Sequence, residues 1–208
     1  MNFKRIQRGM FDSLCYLIYE GKEAVLIDAG VNCDKVLSVA QEFGVDIKSI
    51  ILTHGHIDHI VEADRIIEKT GAKLFIHADD AQCLVDPRAN ASAYTGKPFS
   101  ITSKYNTLSD KSIITIGERK LNIIHTPGHT PGSVCILCDD ILFSGDTLFA
   151  MGYGRVDLPY GSFEDIYSSL VDTLFKLEPD IKVFPGHGAS TTIGEEARSN
   201  PILYTTKW

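Results

Sequence analysis

The 208 residues contain no run of the roughly 18 consecutive apolar residues that a membrane-crossing helix needs. The opening stretch, Met1-Asn2-Phe3-Lys4-Arg5-Ile6-Gln7-Arg8, lacks the apolar core of a secretion leader. Both absences lead us to expect a soluble, cytoplasmic protein with no membrane partner. Positive charge is scarce too: 20 Lys and Arg stand against 27 Asp and Glu, for a net charge of −7. That balance argues against a nucleic-acid partner, because binding phosphates needs a basic footprint strong enough to overcome general repulsion. The five cysteines (Cys15, Cys33, Cys83, Cys135 and Cys138) are an odd number without a leader, so no disulfide framework is expected. Cys135 and Cys138 imitate a zinc knuckle, but they fall in the apolar run Ser133-Val134-Cys135-Ile136-Leu137-Cys138. Residues three apart on a strand face opposite sides, so the pair reads as packing. No Gly-x-Ser-x-Gly elbow occurs, which removes the obvious metal-free hydrolase. No long Ser/Gly/Pro linker interrupts a chain that is 44% hydrophobic, so one domain over residues 1–208 is expected.

What the chain does have is a dense group of metal-ligand side chains. Thr53-His54-Gly55-His56-Ile57-Asp58-His59 places three imidazoles and a carboxylate in six positions after the apolar stretch Ser49-Ile50-Ile51-Leu52. Neutral imidazole and carboxylate are the usual nitrogen and oxygen ligands of zinc and related ions. Further candidates follow: His129 in Thr126-Pro127-Gly128-His129-Thr130-Pro131-Gly132-Ser133, Asp146 in Ser144-Gly145-Asp146-Thr147-Leu148, and His187 in Phe184-Pro185-Gly186-His187-Gly188. Each lies beside a short apolar run and is flanked by Gly or Pro, as expected of side chains on turns at strand ends. His77 and His125 fall outside this pattern and read as structural. Asp28, at a strand end, reads as a cap or as an outer partner of a ligand.

Hydrophobic periodicity predicts strands at 15–19, 24–27, 49–52, 73–76, 112–116, 121–124, 134–137, 141–143 and 181–184, with helices at 35–43, 61–70 and 163–177. The halves echo one another. A strand ending at Asp28 and a strand ending before His54 parallel those ending at Asp146 and His187, which suggests two similar α/β units facing each other. The polar stretch 86–106 has no clear period and reads as a rim of the site.

The order His-x-His-x-Asp-His, His129, Asp146, His187 resembles the metallo-β-lactamase superfamily. The segments Thr126 to Ser133, Gly145-Asp146-Thr147-Leu148-Phe149 and Pro185 to Gly188 look like its glyoxalase II branch, whose members hydrolyse glutathione thioesters. The resemblance implies an α/β, four-layer αβ/βα sandwich with two mixed sheets flanked by helices. It places His54, His56 and His129 around one metal and Asp58, His59 and His187 around a second, with Asp146 bridging. It implies two divalent ions, zinc expected, with iron and manganese also suited to this donor set. A metal-bridging hydroxide would then attack the acyl carbon of a small-molecule thioester such as S-lactoylglutathione, with Asp58 orienting the water and Asp146 holding both sites. The stretch after His187 resembles a short form without the helical extension that supplies cationic contacts to glutathione. Arg155 and Tyr153 are then the candidate substrate contacts, with an Arg155–Asp157 surface pair as the plain alternative. Two other activities stay open: hydrolysis of a lactone or ester at the same metals, and a mononuclear iron persulfide dioxygenase using His54, His129 and Asp146. The expected assembly is a monomer or homodimer.

Overall fold

Alternating burial along short strands sorts the apolar residues into three separate cores. In a computed structural model, which describes residues 1–205, the first half runs β1 (Asn2–Ile6), β2 (Cys15–Glu20), β3 (Glu23–Ile27), α1 (Cys33–Phe43), β4 (Asp46–Ile51), α2 (Ile57–Ile60), α3 (Ala63–Thr70), β5 (Lys73–His77) and β6 (Tyr105–Leu108). The second runs β7 (Ile113–Ile116), β8 (Arg119–His125), β9 (Val134–Cys138), β10 (Ile141–Gly145), β11 (Leu148–Phe149), β12 (Gly152–Tyr153), α4 (Phe163–Ser168), β13 (Lys182–Pro185), β14 (Thr191–Thr192) and α5 (Ile193–Ser199). Residues 206–208 of the expected 1–208 domain lie outside the described residues.

The strands form two six-stranded sheets, ordered β1-β2-β3-β4-β5-β6 and β14-β13-β10-β9-β8-β7. Both are mixed: β3 pairs β4 in parallel and β2 antiparallel, and β10 pairs β13 in parallel and β9 antiparallel. Period-two alternation then assigns faces. Leu17 and Leu26 pack under α1 and α3, whereas Tyr16, Ile18, Val25 and Ile27 meet Ile123, Ile136 and Phe143 between the sheets. The outer face of the second sheet buries Leu142 and Val183 with Ile166, Leu170 and Ile193. Helix, sheet, sheet and helix make the expected four layers. On β9, Cys135 belongs to the outer core and Cys138 to the central one, so the Cys-x-x-Cys spacing cannot close on one ion.

Several elements differ from expectation. The helix expected over 163–177 ends as α-helix at Ser168, continues as a π turn over Ser169–Thr173 and then as a 3-10 turn over Leu174–Lys176. The Ser169 hydroxyl donates to the Pro127 carbonyl at 2.7 Å, tying the π turn to the loop that carries His129. The helix expected over 61–70 begins at Ala63, after the separate turn of α2. The edge strand β1 has no counterpart among the expected strands, because Phe3 and Ile6 are three apart and face different cores. The stretch 86–106 is ordered by Asn90, whose amide donates to the carbonyls of Cys83 and Phe99. Its 3-10 turn, Ser92–Thr95, puts Tyr94 and Thr95 at the cavity described below.

Candidate metal centre

All seven candidate ligands sit at one edge of the two sheets, five on loops and two on the short helix α2. His54 and His56 follow β4, Asp58 and His59 occupy α2, His129 lies on the β8–β9 turn, Asp146 follows β10 and His187 follows β13. The parallel pairs β3/β4 and β10/β13 bring these strand ends together, and the echo between the halves is realised in that pairing. Backbone crowding fixes the approach. A Cβ at Gly30 would collide with the Asp58 carbonyl, and one at Gly186 would collide with Asp146 Oδ1. Only glycine lets these loops come so close.

Ligand-type atoms converge in three overlapping groups: His54, His56 and His129; Asp58, His59 and His187; and His54, His59 and Asp146. His56 Nδ1 lies 2.9 Å from His129 Nε2, and His59 Nε2 lies 3.2 Å from His187 Nε2. Asp146 sits between the groups, with carboxylate oxygens 3.4 Å from His59 Nε2, 3.5 Å from His187 Nε2 and 3.8 Å from His129 Nε2.

The outer partners orient these rings. Asp28 accepts from the Thr53 backbone N–H at 2.7 Å, from the Thr53 hydroxyl and from His59 Nδ1 at 2.9 Å. With its one proton given to Asp28, Thr53 Oγ1 is left as acceptor for His54 Nδ1–H at 3.1 Å. His129 Nδ1 donates to the Arg155 carbonyl at 2.8 Å. Each of these three rings is thereby left with Nε2 unprotonated and turned inward when neutral. Asp28 is held in left-handed backbone (φ 59), a strained state that these bonds over-determine.

Protonation follows from burial and neighbours. Burial, then the facing His59 and His129 rings, lowers the pKa of His54; burial and His129 lower that of His56 to about 3. Burial opposes charge on His59, but Asp58, Asp146 and Asp28 together raise it to about 10. Burial pushes the Asp58 carboxyl up, yet His59 and the bond from His187 outweigh it and hold it below the ordinary carboxylate range. His187 is raised, with the bond to Asp58 overcoming burial.

The donor set fits metal ions on a direct observation. Among the described residues, His54 Nε2, His56 Nε2 and Asp146 Oδ1 are buried and have no hydrogen-bond partner. Buried polar atoms are almost always paired, and three orphans in a single cluster of ligand atoms indicate that their partner is a cation.

Above the cluster opens a cavity of ≈440 Å³ whose walls include Phe11, Ile57, Tyr94 and Leu158. Arg155 lines it, but its Nε and Nη2 bond both oxygens of Asp157 at 2.6 Å. This is the surface-pair alternative, with the Arg155 carbonyl serving His129. Tyr153 is not part of the cavity wall: its ring packs 6.3 Å from Phe163 in the outer core. His77 and His125 stack 4.0 Å apart at 12°, and with Asp79 they form a fourth group of ligand-type atoms outside the seven, though parallel rings cannot both aim at one ion in their planes.

Asp80 is a residue that sequence reasoning missed. Fully buried, it accepts from Gly55 N at 2.8 Å, Gly132 N at 2.6 Å and Thr130 Oγ1 at 2.7 Å, joining the loop of His54 and His56 to that of His129. The one available signal was an acidic pair, Asp79-Asp80, just past the end of a strand.

Comparison with known proteins agrees with this geometry. A family model described as the metallo-beta-lactamase superfamily matches residues 8–187. A protein of Haemophilus influenzae named hydroxyacylglutathione hydrolase GloC is 32% identical over 210 residues, covering 98% of each chain. Among solved structures, BLEG-1 B3 metallo-beta-lactamase superimposes with a TM-score of 0.92 at 32% identity, covering 98% of this chain and all of that one. TTHA1623 in a di-iron-bound form superimposes at 0.84 with 31% identity, covering 95% and 98%.

Proposed function

This chain belongs to the metallo-beta-lactamase superfamily, and from that premise we propose that it is a metal-dependent hydrolase of thioesters, with acylglutathiones such as S-lactoylglutathione as substrate. The observation that carries the reading is the cluster of seven His and Asp side chains with three orphaned buried ligand atoms at the floor of an open cavity. The H. influenzae relative, matched over nearly its full length, supports the thioester choice.

His54, His56 and His129 would hold one ion, Asp58, His59 and His187 a second, and Asp146 both. Divalent ions in such a site supply Lewis acidity toward a carbonyl oxygen and lower the pKa of water; zinc or iron suits the donors. The chain's own residues do the rest. Asp58 Oδ2, 3.1 Å from His187 Nε2 and held ionised, would accept a hydrogen bond from the attacking water and orient it. The Asp28–Thr53 network keeps the His54 and His59 rings aimed inward through the reaction. Phe11, Ile57 and Leu158 wall the cavity against bulk water around the acyl group as its C–S bond breaks.

The test is thiol release from S-lactoylglutathione by zinc-loaded, iron-loaded and metal-stripped protein, with oxygen uptake followed in parallel on a glutathione persulfide. Metal-dependent hydrolysis at about 10⁴ M⁻¹s⁻¹ or more is expected. No hydrolysis by either loaded form would end the thioester reading, and oxygen uptake by the iron form would replace it with persulfide oxidation.

A further inference from the structure

The uncommitted positive charge near the metal cleft is not Arg155, which Asp157 already neutralises. It lies on the opposite side, where Arg5, Arg8, Asp12, Gly188 and Ala189 line a second cavity of ≈520 Å³. Among the described residues neither Arg5 nor Arg8 makes an ion pair, whereas Arg65, Arg119 and Arg155 all do. Arg5 Nη2 donates to the Gly188 carbonyl at 2.6 Å, next to His187, which fixes the guanidinium at the cavity wall. A guanidinium held at one nitrogen presents its remaining outer N–H groups in a fixed fork to an oxyanion.

The wall between the two cavities is short. Phe11 and His187 face the metal cleft, and their neighbours Asp12 and Gly188 face the arginines. The segment is tied to the metal loops: Met10 N–H donates to Gly30, the Ser13 hydroxyl to the Asp58 carbonyl at 2.8 Å, and Leu14 N–H to Gly186. Within it Arg8, Phe11 and Asp12 all hold positive φ (67, 52 and 62). Left-handed backbone is costly for residues with a Cβ, and three in five positions mark a segment whose shape is maintained by its surroundings.

We propose that this second cavity is a subsite for a zwitterionic amino-acid terminus, the carboxylate on Arg5 and Arg8 and the ammonium on Asp12. It would receive the far end of the thiol portion of a thioester whose acyl group lies over the metals. The proposal rests on the thioesterase reading. Asp12, which makes no ion pair with either arginine, decides against a phosphate, since a dianion would meet its carboxylate. The site supplies from the amino-terminal segment the cationic contact that Arg155 cannot.

The experiment uses metal-loaded full-length protein and two readouts. The first is calorimetric binding of S-methylglutathione, a thioether that cannot be hydrolysed, to wild type, Arg8→Glu, Arg8→Gln and Asp12→Asn. The second is turnover of S-lactoylglutathione against S-lactoyl-N-acetylcysteamine, whose tail is neutral. The Arg8→Glu change is expected to weaken S-methylglutathione binding and raise KM for S-lactoylglutathione by about tenfold or more. Arg8→Gln and Asp12→Asn should give smaller losses, and turnover of the neutral thioester should be unchanged in all three. Equal binding by wild type and Arg8→Glu, or no binding by wild type at millimolar ligand, overturns the subsite; metal-dependent turnover of either thioester then decides the thioesterase reading separately. If neither thioester is turned over, the thioesterase reading falls, and a difference in binding between wild type and Arg8→Glu still supports the subsite.

Discussion

Asp58 shows how much one side chain is asked to do. It lies 3.5 Å from His59 Nε2 and 3.1 Å from His187 Nε2, and those imidazoles keep it ionised against its own burial. Replacing it with alanine removes a candidate ligand and the group that would orient the water together, but no side chain of the three cores. Asp58→Ala is expected to lower kcat on S-lactoylglutathione by about 10³ or more, with the melting temperature of the metal-free protein shifted by no more than a few degrees. Near-normal turnover would show that another group orients the water. Asp28 differs in kind, because among the described residues its carboxylate hydrogen-bonds only with Thr53 and His59 and acts through ring orientation.

At the scale of elements the open question is what keeps loops from different sheets in register. Asp80, at the start of the 3-10 turn after β5, latches the β4–α2 loop to the β8–β9 turn. An asparagine there would set an amide N–H against donors, leaving at least one buried donor unpaired, at a cost on the order of 2 kcal/mol. Burial raises the Asp80 pKa, against the bonds from Thr130, Gly132 and Gly55. A raised folded-state pKa favours the fold most below the ordinary carboxylate value, and that advantage is lost as pH rises through the folded value. The deficit of Asp80→Asn in urea unfolding is therefore expected to be larger near pH 4.5 than near pH 7.5; a deficit that grows with pH would contradict this. Strand β9 bears on the cysteines. Burial comes first among the causes that raise the thiols, taking Cys135 and Cys15 to about 12, with Cys33, Cys83 and Cys138 raised as well. Native protein at pH 8 is expected to leave all five thiols unmodified by a thiol reagent, with all five reacting after denaturation.

For the whole molecule, metal binding at this cluster would be coupled to folding, because the candidate ligands come from both sheets and no preformed site survives unfolding. Metal at about 100 times its dissociation constant adds about 2.7 kcal/mol to stability. For a domain of this length that is a rise of roughly 5–10 °C in melting temperature, and chelation should reverse it. Scanning calorimetry with and without a chelator checks it; an unchanged midpoint would mean that the cluster does not take up the metal supplied.

The seven candidate ligands were legible as types and spacings, because ligand chemistry is a property of single residues and the turns that present them carry local Gly and Pro signals. The strand-and-helix alternation was legible for the same reason, since period two and period 3.6 are local patterns. The amino-acid sequence by itself thus determined the alternation of strands and helices and the candidate donor set, and the layered fold class entered through the family resemblance those motifs carry. Tertiary structure alone decided the pairings between distant segments: the parallel β10/β13 contact that seats Asp146 beside His187, the latch of Asp80 across fifty residues, and the removal of Tyr153 into the outer core. It also set Arg155 against Asp157 and left Arg5 and Arg8 as the uncommitted cations beside His187. Each of these depends on which loop comes to lie against which, and that depends on long-range sheet register, to which no local period corresponds.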